Sequence, residues 1–401
     1  MNQLLSARSR VIAIVQGAFL LLALISLSYA TVTAFDKGSD LAMFQDMGRR
    51  WVDGVYQTEE SRFYGHPPYA SVLYSAMAFL SFEQLRAVFV LINLLTTFLI
   101  LLLIHKLWGS NWSARTHWLL AAFLLSSAPF RVALRYGQIS LILTALVLGS
   151  LLAWKKKRAG LAGLLIGLSL AKYSLTLPFV LYFAWRREWK IVAGAVLTVG
   201  VLTEICGLRF GLSPFVLIGD YVRLMQHVSI SNDPTFSGAT EIGRLLFAIT
   251  GNELIANQVN IALTVVALAA MSLVFWRKPR YELTHLAALT FFSLWSVYHR
   301  IYDVVVCVLP AAVFVDSVVR HKFRRLSVIG LSALGLLSLN IPGFLTERLH
   351  LAADKLSANP AGFLALHVDR LLVFGMFWLL LVTIWRAGDS QSDDAMPMAR
   401  Y

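Results

Sequence analysis

The sequence predicts an all-α polytopic membrane protein, and three observations lead to that fold class. The chain has 401 residues, of which 58% are hydrophobic and only 14% charged, with a mean hydropathy of +0.68. Soluble globular domains carry far more charge. Apolar runs long enough to cross the hydrocarbon core recur along the chain, as in proteins with many spans. Neither strand-like alternation nor an internal repeat interrupts these runs.

The apolar runs predict about twelve transmembrane helices in one domain, residues 1–386, followed by a disordered cytoplasmic tail, 387–401. The larger outer loops are expected at 34–70, 207–253 and 342–367. The amphipathic stretch 211–225 is expected to lie at the membrane surface. The predicted spans are roughly 11–33, 85–104, 117–131, 138–154, 159–172, 174–185, 190–206, 254–276, 283–298, 302–319, 326–341 and 368–386.

The formal charge of +13 is concentrated in one set of loops. Most Lys and Arg residues fall in the loops that an inside N-terminus places in the cytoplasm, above all "KKKR" at 155–158 and "RHKFRR" at 320–325. This is the pattern of positively charged inner loops. We therefore expect a multi-pass protein of the cytoplasmic (inner) membrane with both termini inside, and no nucleic-acid partner is needed to explain the charge. The two cysteines lie in apolar segments and do not have metal-site spacing.

The first outer loop contains a candidate catalytic carboxylate, Asp40. Leu41, Phe44 and Met47 recur at helical spacing and predict an amphipathic surface helix over 40–53. Asp40 opens this helix, so it either complements the helix dipole or serves as a general base at the membrane surface.

Two cationic features fall on the same predicted face. Arg131 and Arg135 are spaced i,i+4, so they share one helical face just before Gly137 and Gln138. They either extend to the interface or bind a phosphate. Lys172 divides two short apolar runs, and an unpaired lysine in hydrocarbon is unfavourable by a few kcal/mol or more. It therefore turns a tight outer hairpin or faces a polar cavity.

The sequence "YHRIYD" at 298–303 places charge between two apolar spans. It is either a plain hairpin turn or part of a site. Its five polar side chains offer hydrogen-bond donors, a titratable imidazole and a cation within six residues: Tyr298, His299, Arg300, Tyr302 and Asp303. An acid, several cations and a histidine on one face suit an anionic lipid headgroup and a polar acceptor.

These motifs resemble glycosyltransferase family 87, integral-membrane enzymes of the GT-C fold that use polyprenyl-phosphate sugars. The resemblance rests on "SDLAMF", "HPP", "FRVALRYGQISL", "GLLIGLSLAKYSLTLPF" and "YHRIYD". It departs from the family pattern at three positions: His66 stands where a Tyr usually precedes the proline pair, Ser140 where an Asn follows the "GQ", and Ser174 where a Pro follows the lysine.

The resemblance implies a hexosyltransferase, most simply a mannosyltransferase, that inverts the anomeric centre with Asp40 as general base. It implies that the donor phosphate is bound by Arg131, Arg135, Gln138, Lys172, His299 and Arg300. His66, Tyr69, Tyr298 and Asp303 would support them. We expect no metal and no cofactor, because the donor is a polyprenyl-phosphate sugar, with membrane lipids and a glycolipid or glycan acceptor as partners. The prenyl tail would lie along 85–104 and 138–172.

Two alternatives remain open. A ligase that uses polyprenyl-diphosphate-linked glycans also needs outer-face arginines and a histidine. A transporter or flippase for lipid-linked sugars also has many spans, but such proteins more often show paired halves with broken helices.

Overall fold

The computed structural model describes residues 2–34, 39–56, 66–226, 239–320, 324–349 and 351–387. Throughout these ranges the regular structure is helical, apart from an isolated bridge between Ala239 and Arg300. The helices are α1 Asn2–Ala34, α2 Ser39–Asp53, α3 Ala70–Tyr74, α4 Phe82–Leu107, α5 Ala114–Ser126, α6 Ala128–Tyr136, α7 Ser140–Lys155, α8 Ala159–Ser169, α9 Tyr173–Trp185, α10 Trp189–Phe210, α11 Pro214–Gln226, α12 Ile242–Thr250, α13 Glu253–Arg277, α14 Glu282–Ser296, α15 Val308–Val319, α16 Arg324–Leu339, α17 Ile341–Gly343, α18 Ala353–Ser357 and α19 Pro360–Arg386.

Eight helical segments of the described chain are long and apolar enough to cross a membrane, or nine if α5 and α6, bent by 54°, form one span. The protein is therefore polytopic. The count of twelve crossings stays a prediction. The helices α7 and α14 are largely buried, but each is shorter than a usual span. The predicted tail, 387–401, lies outside the described residues except for Ala387.

The segment Ala159–Trp185 has the length of one span, but its contacts show that it reverses direction. The Ser150 hydroxyl donates to the carbonyl of Ala162 at 2.9 Å, and the Trp154 ring lies 5.5 Å from that of Phe183. A straight helix would separate Ala162 from Phe183 by about 30 Å. The turn falls at Leu170–Lys172, a short 3₁₀ segment between α8 and α9, where the sequence predicts a break.

The ends of α7 define two opposite ends of the helix bundle, since its 16 residues extend about 24 Å. At the end that we call the basic end, hydrogen bonds connect loops rich in Lys and Arg. Lys155 donates to the carbonyl of Leu107 at 3.1 Å, and Lys278 to that of Ala387 at 2.8 Å. Arg186 pairs with Glu282. The basic loops predicted to lie on one face are therefore close together in the structure.

The other end, which we call the site end, is covered by α2. The predicted apolar stripe is buried, with Leu41, Phe44 and Met47 each at most 5% exposed. The stripe contacts α3 and the following turn, so protein rather than lipid covers it. A Cβ on Gly48 would lie 2.3 Å from the carbonyl oxygen of Tyr74, which shows how closely the two segments approach.

Candidate active site

Asp40 lies in the first turn of α2 and accepts a hydrogen bond from the Gln138 side-chain amide. The approach of α2 depends on Gly137, which ends α6 in the left-handed region at φ 69°. A Cβ at this position would lie 2.7 Å from the Cβ of Leu41. Because only glycine has no Cβ and adopts this φ without strain, the Gly137–Gln138 pair both admits α2 and binds its carboxylate.

Asp303 is the centre of a buried polar cluster at the same end. Its side chain is 1% exposed, and three side chains bind it, two of them from distant parts of the chain and one from four residues away. Lys172 Nζ lies 2.7 Å from each carboxylate oxygen, Ser140 Oγ donates at 2.5 Å, and His299 Nδ1 lies 2.9 Å away. A buried carboxylate is stable only with such partners. We call Lys172, Asp303, His299 and Ser140 the Asp303 cluster.

The cluster changes the environment expected for Lys172. The lysine was predicted as a phosphate ligand, and the structure pairs its charge with Asp303. Its ammonium group also lies 4.8 Å from the centre of the Tyr302 ring, within cation–π range. Ser140, which stands where the family usually has Asn, contributes its hydroxyl to the same carboxylate.

The turn that carries Lys172 is held by the "HPPY" segment. His66 Nδ1 lies 3.0 Å from the carbonyl oxygen of Ala171, and the Tyr69 hydroxyl donates to that of Leu170 at 2.7 Å. These two side chains satisfy carbonyl groups that the break between α8 and α9 would leave unpaired. Burial, with Lys172 nearby, lowers the pKa of His66 to about 4, so the imidazole is neutral at pH 7.

Arg300 connects the "YHRIYD" segment with Asp40. Its Nε donates to the Tyr298 hydroxyl at 2.5 Å. Burial alone would lower the pKa of Arg300, but the neighbouring hydroxyls of Tyr298 and Tyr302 and the carboxylate of Asp40 raise it above its ordinary value. The guanidinium is therefore cationic and within electrostatic reach of Asp40.

Arg131 and Arg135 lie on α6 and are not part of the Asp303 cluster. Arg131 donates to the Ser26 hydroxyl on α1 at 3.1 Å and to the carbonyl of Ser126. Arg135 is partly exposed, with its guanidinium carbon 6.0 Å from the centre of the Tyr136 ring. Arg131 thus contacts α1, whereas most of the other predicted site residues gather around Asp40 and Asp303.

A second buried charge network was missed from the sequence. Glu241 forms an ion pair with Arg244, whose guanidinium lies 5.2 Å from the Tyr298 ring. Arg370 of α19 bonds to His367 and is 2% exposed, and its charge acts on Glu241. An arginine inside a predicted span is itself an indication of a buried partner, and this signal at Arg370 would have found the network.

This network supports the backbone of the site. The Thr240 amide donates to the carbonyl of His299 at 2.9 Å, and Ala239 forms the bridge with Arg300. Burial raises the pKa of Glu241 although Arg244 and Arg370 oppose that change. Ala239 and Thr240, just before α12, thus hold the backbone of His299 and Arg300 in position.

Comparison with known families shows the family of the chain. The model of glycosyltransferase family 87 matches residues 63–299, more than half of the chain. The chain belongs to glycosyltransferase family 87. The matched range of this family 87 enzyme includes Arg131, Gln138, Lys172 and His299, whereas Asp40 precedes it.

One curated relative is 30% identical over 181 residues. It is the polyprenol-phosphate-mannose-dependent alpha-(1-2)-phosphatidylinositol pentamannoside mannosyltransferase of Mycolicibacterium smegmatis (strain ATCC 700084 / mc(2)155). The match covers 43% of the family 87 chain and 43% of the relative, so it spans less than half of either protein. No solved structure matches the family 87 chain.

Proposed function

We propose that this glycosyltransferase moves a hexose, mannose, from a polyprenyl-phosphate sugar to a lipid or glycan acceptor. The observation that carries the proposal is a single partly exposed carboxylate, Asp40, bound by Gln138 and near the cationic Arg300. A base beside a fixed cation suits the transfer of a sugar from a phosphate to a hydroxyl. The name of the mycobacterial relative supports mannose and a polyprenol-phosphate donor.

In the proposed reaction Asp40 takes the proton of an acceptor hydroxyl as its oxygen attacks the anomeric carbon. The bond between that carbon and the phosphate oxygen breaks, and the polyprenyl phosphate leaves with the electron pair. One displacement with one base inverts the anomeric centre. The leaving phosphate is already a stabilised anion, so the proposed reaction uses no metal or cofactor.

The cations have different proposed roles. Arg300, with Arg131 and Arg135, balances the charge of the leaving phosphate. Lys172 and His299 act through Asp303, because both are bound to its buried carboxylate. In this proposal the Asp303 cluster aligns Arg300 and Tyr302, and His66 and Tyr69 hold the turn beneath it.

We also propose that the site end faces the outside of the cytoplasmic membrane, in a GT-C arrangement of about twelve crossings with cytoplasmic termini. The clustering of Lys and Arg loops at the opposite end supports this orientation. Reporter fusions in the described loops test it. Cytoplasmic reporters at both Gly137 and Lys156 would contradict it.

Replacing Asp40 by Asn tests the base. The variant should bind polyprenyl-phosphate mannose with unchanged affinity. It should transfer at most about a hundredth of the wild-type amount in a membrane assay with labelled donor, because general bases contribute about 10²–10⁴-fold and an amide accepts no proton here. Asp53→Asn, on the exposed end of the same helix, is the matched control and should transfer normally. Normal transfer by the Asp40 variant would exclude the proposed mechanism. Transfer only from a diphosphate donor would favour the ligase.

A further inference from the structure

A groove opens between α1 and α5, on the membrane-facing side of the bundle. It has a volume of about 530 Å³, within the range of ligand sites. The residues Gln16 to Leu24 of α1 and Arg115 to Leu125 of α5 line it, so it extends about 12–15 Å along the helices. Its apolar lining includes Leu20, Ala23, Leu24, Leu119, Ala122 and Leu125.

Arg131 lies just beyond one end of the groove. Its guanidinium binds the Ser26 hydroxyl and the carbonyl of Ser126. Ser26 follows Leu24 by two residues, and Ser126 follows Leu125 by one. The cation therefore stands at the point where the apolar lining ends. Arg115 and Gln16 mark the other end.

From Arg131 the helix α6 leads to the candidate site. Arg135 follows one turn later on the same face, and Gln138, which binds Asp40, follows within another turn. The helical rise from Arg131 to Tyr136, where α6 ends, is about 7.5 Å, and Gln138 follows two residues later. An anion beside the two arginines would thus lie about one sugar unit from the carboxylate.

A groove that is apolar along its length and cationic at the end nearest the site suits an amphiphile with a phosphate head and a hydrocarbon chain. We propose that it holds the isoprenoid chain of the polyprenyl-phosphate donor, with the phosphate at Arg131 and Arg135. This inference rests on the proposed function. The proposed position of the chain differs from the path expected from the sequence, along 85–104 and 138–172. In the structure α4 and α7 pack against each other, so the surfaces that they share are not open to a lipid chain.

Filling the groove tests the inference. Leu119→Trp and Leu24→Trp place indole rings at positions that are 37% and 59% exposed, where a larger side chain leaves folding intact. For a donor with the full polyprenyl chain, KM should rise at least tenfold with kcat unchanged. For a donor with two isoprene units, which is too short to fill the groove, KM should stay within twofold. Leu95→Trp, on the exposed face of α4 at 61% exposure, is the matched control.

An equal change in KM for both donors would overturn the inference, and so would a change that follows the chain length of the acceptor instead. A second measurement does not need transfer. With p-benzoyl-phenylalanine at position 119, light should attach labelled polyprenyl phosphate, and the same group at position 95 should not. Attachment of bulk phospholipid alone would also overturn it. Failure of the proposed function is separate, since it would appear as normal transfer by Asp40→Asn whatever the donor chain.

Discussion

Lys172→Met distinguishes a lysine that stabilises the fold from one that binds phosphate. Methionine keeps much of the apolar stem and removes the ammonium group that lies 2.7 Å from both oxygens of Asp303. The carboxylate is 1% exposed, so it would be left buried with Ser140 and His299 alone. Removing one partner of a buried pair lowers the free energy of unfolding by about 3–5 kcal/mol.

Reversible unfolding in mixed detergent micelles measures this loss. The double variant Lys172→Met, Asp303→Asn contains no uncompensated charge, so it should be more stable than Lys172→Met alone by about 2 kcal/mol or more. Lys156→Met, at the exposed basic end, is the control and should stay within about 0.5 kcal/mol of wild type. A loss below about 1 kcal/mol for Lys172→Met, or strict additivity of the two changes, would refute the argument.

Transfer activity of the same variants separates the two roles. If Lys172 acts through Asp303, the double variant should recover part of the kcat that Lys172→Met loses, because the carboxylate no longer needs a cation. If Lys172 binds the donor phosphate directly, the KM for the donor stays high in both variants.

Gly137→Ala should lower kcat at least tenfold, because the added Cβ pushes Leu41 and Asp40 away. The control is Gly211→Ala, which carries the same backbone strain of about 1–2 kcal/mol at φ 68° but has no atom near the added Cβ, so it should keep its kcat. Equal kcat in the two variants would contradict this prediction. In the folded protein the pKa of His66, about 4, lies below the ordinary 6.5, so between these pH values the unfolded state binds the proton more tightly. The free energy of unfolding should therefore fall by about 3 kcal/mol from pH 6.5 to pH 4 because of this residue. His66→Gln should remove that part of the decrease in thermal unfolding, and a variant with the wild-type pH profile would contradict the prediction.

The sequence predicted those features that depend on neighbouring residues. Hydropathy indicated the polytopic class, and the interruption at Lys172 indicated the turn between α8 and α9. The spacing of Leu41, Phe44 and Met47 predicted α2 and put Asp40 at its start, as found. Each of these patterns can be recognised within a stretch of sequence about as long as one helix.

Pairings between distant residues could not be predicted in this way. Lys172 and Asp303 are 131 residues apart, and no local pattern identifies either as the partner of the other. Local charge patterns likewise do not predict the electrostatic interaction of Glu241 with Arg370. Hydropathy did place α14, which was expected over 283–298 and lies at Glu282–Ser296, but its 15 residues are too few to show whether it crosses the membrane. Local patterns and the resemblance named the candidate residues, and the structure shows that Lys172, His299 and Ser140 meet at Asp303.

The separation of Lys172 from Asp303 also has a consequence during synthesis. A ribosome that adds about 5–20 residues per second makes Asp303 on the order of 10 s after the lysine. Throughout that interval the apex of the α8–α9 hairpin has a cation and no carboxylate. The nascent protein therefore completes this end of the bundle only after Asp303 has been made, and until then the Lys172 ammonium is favoured in contact with water, because an unpaired charge in hydrocarbon is unfavourable.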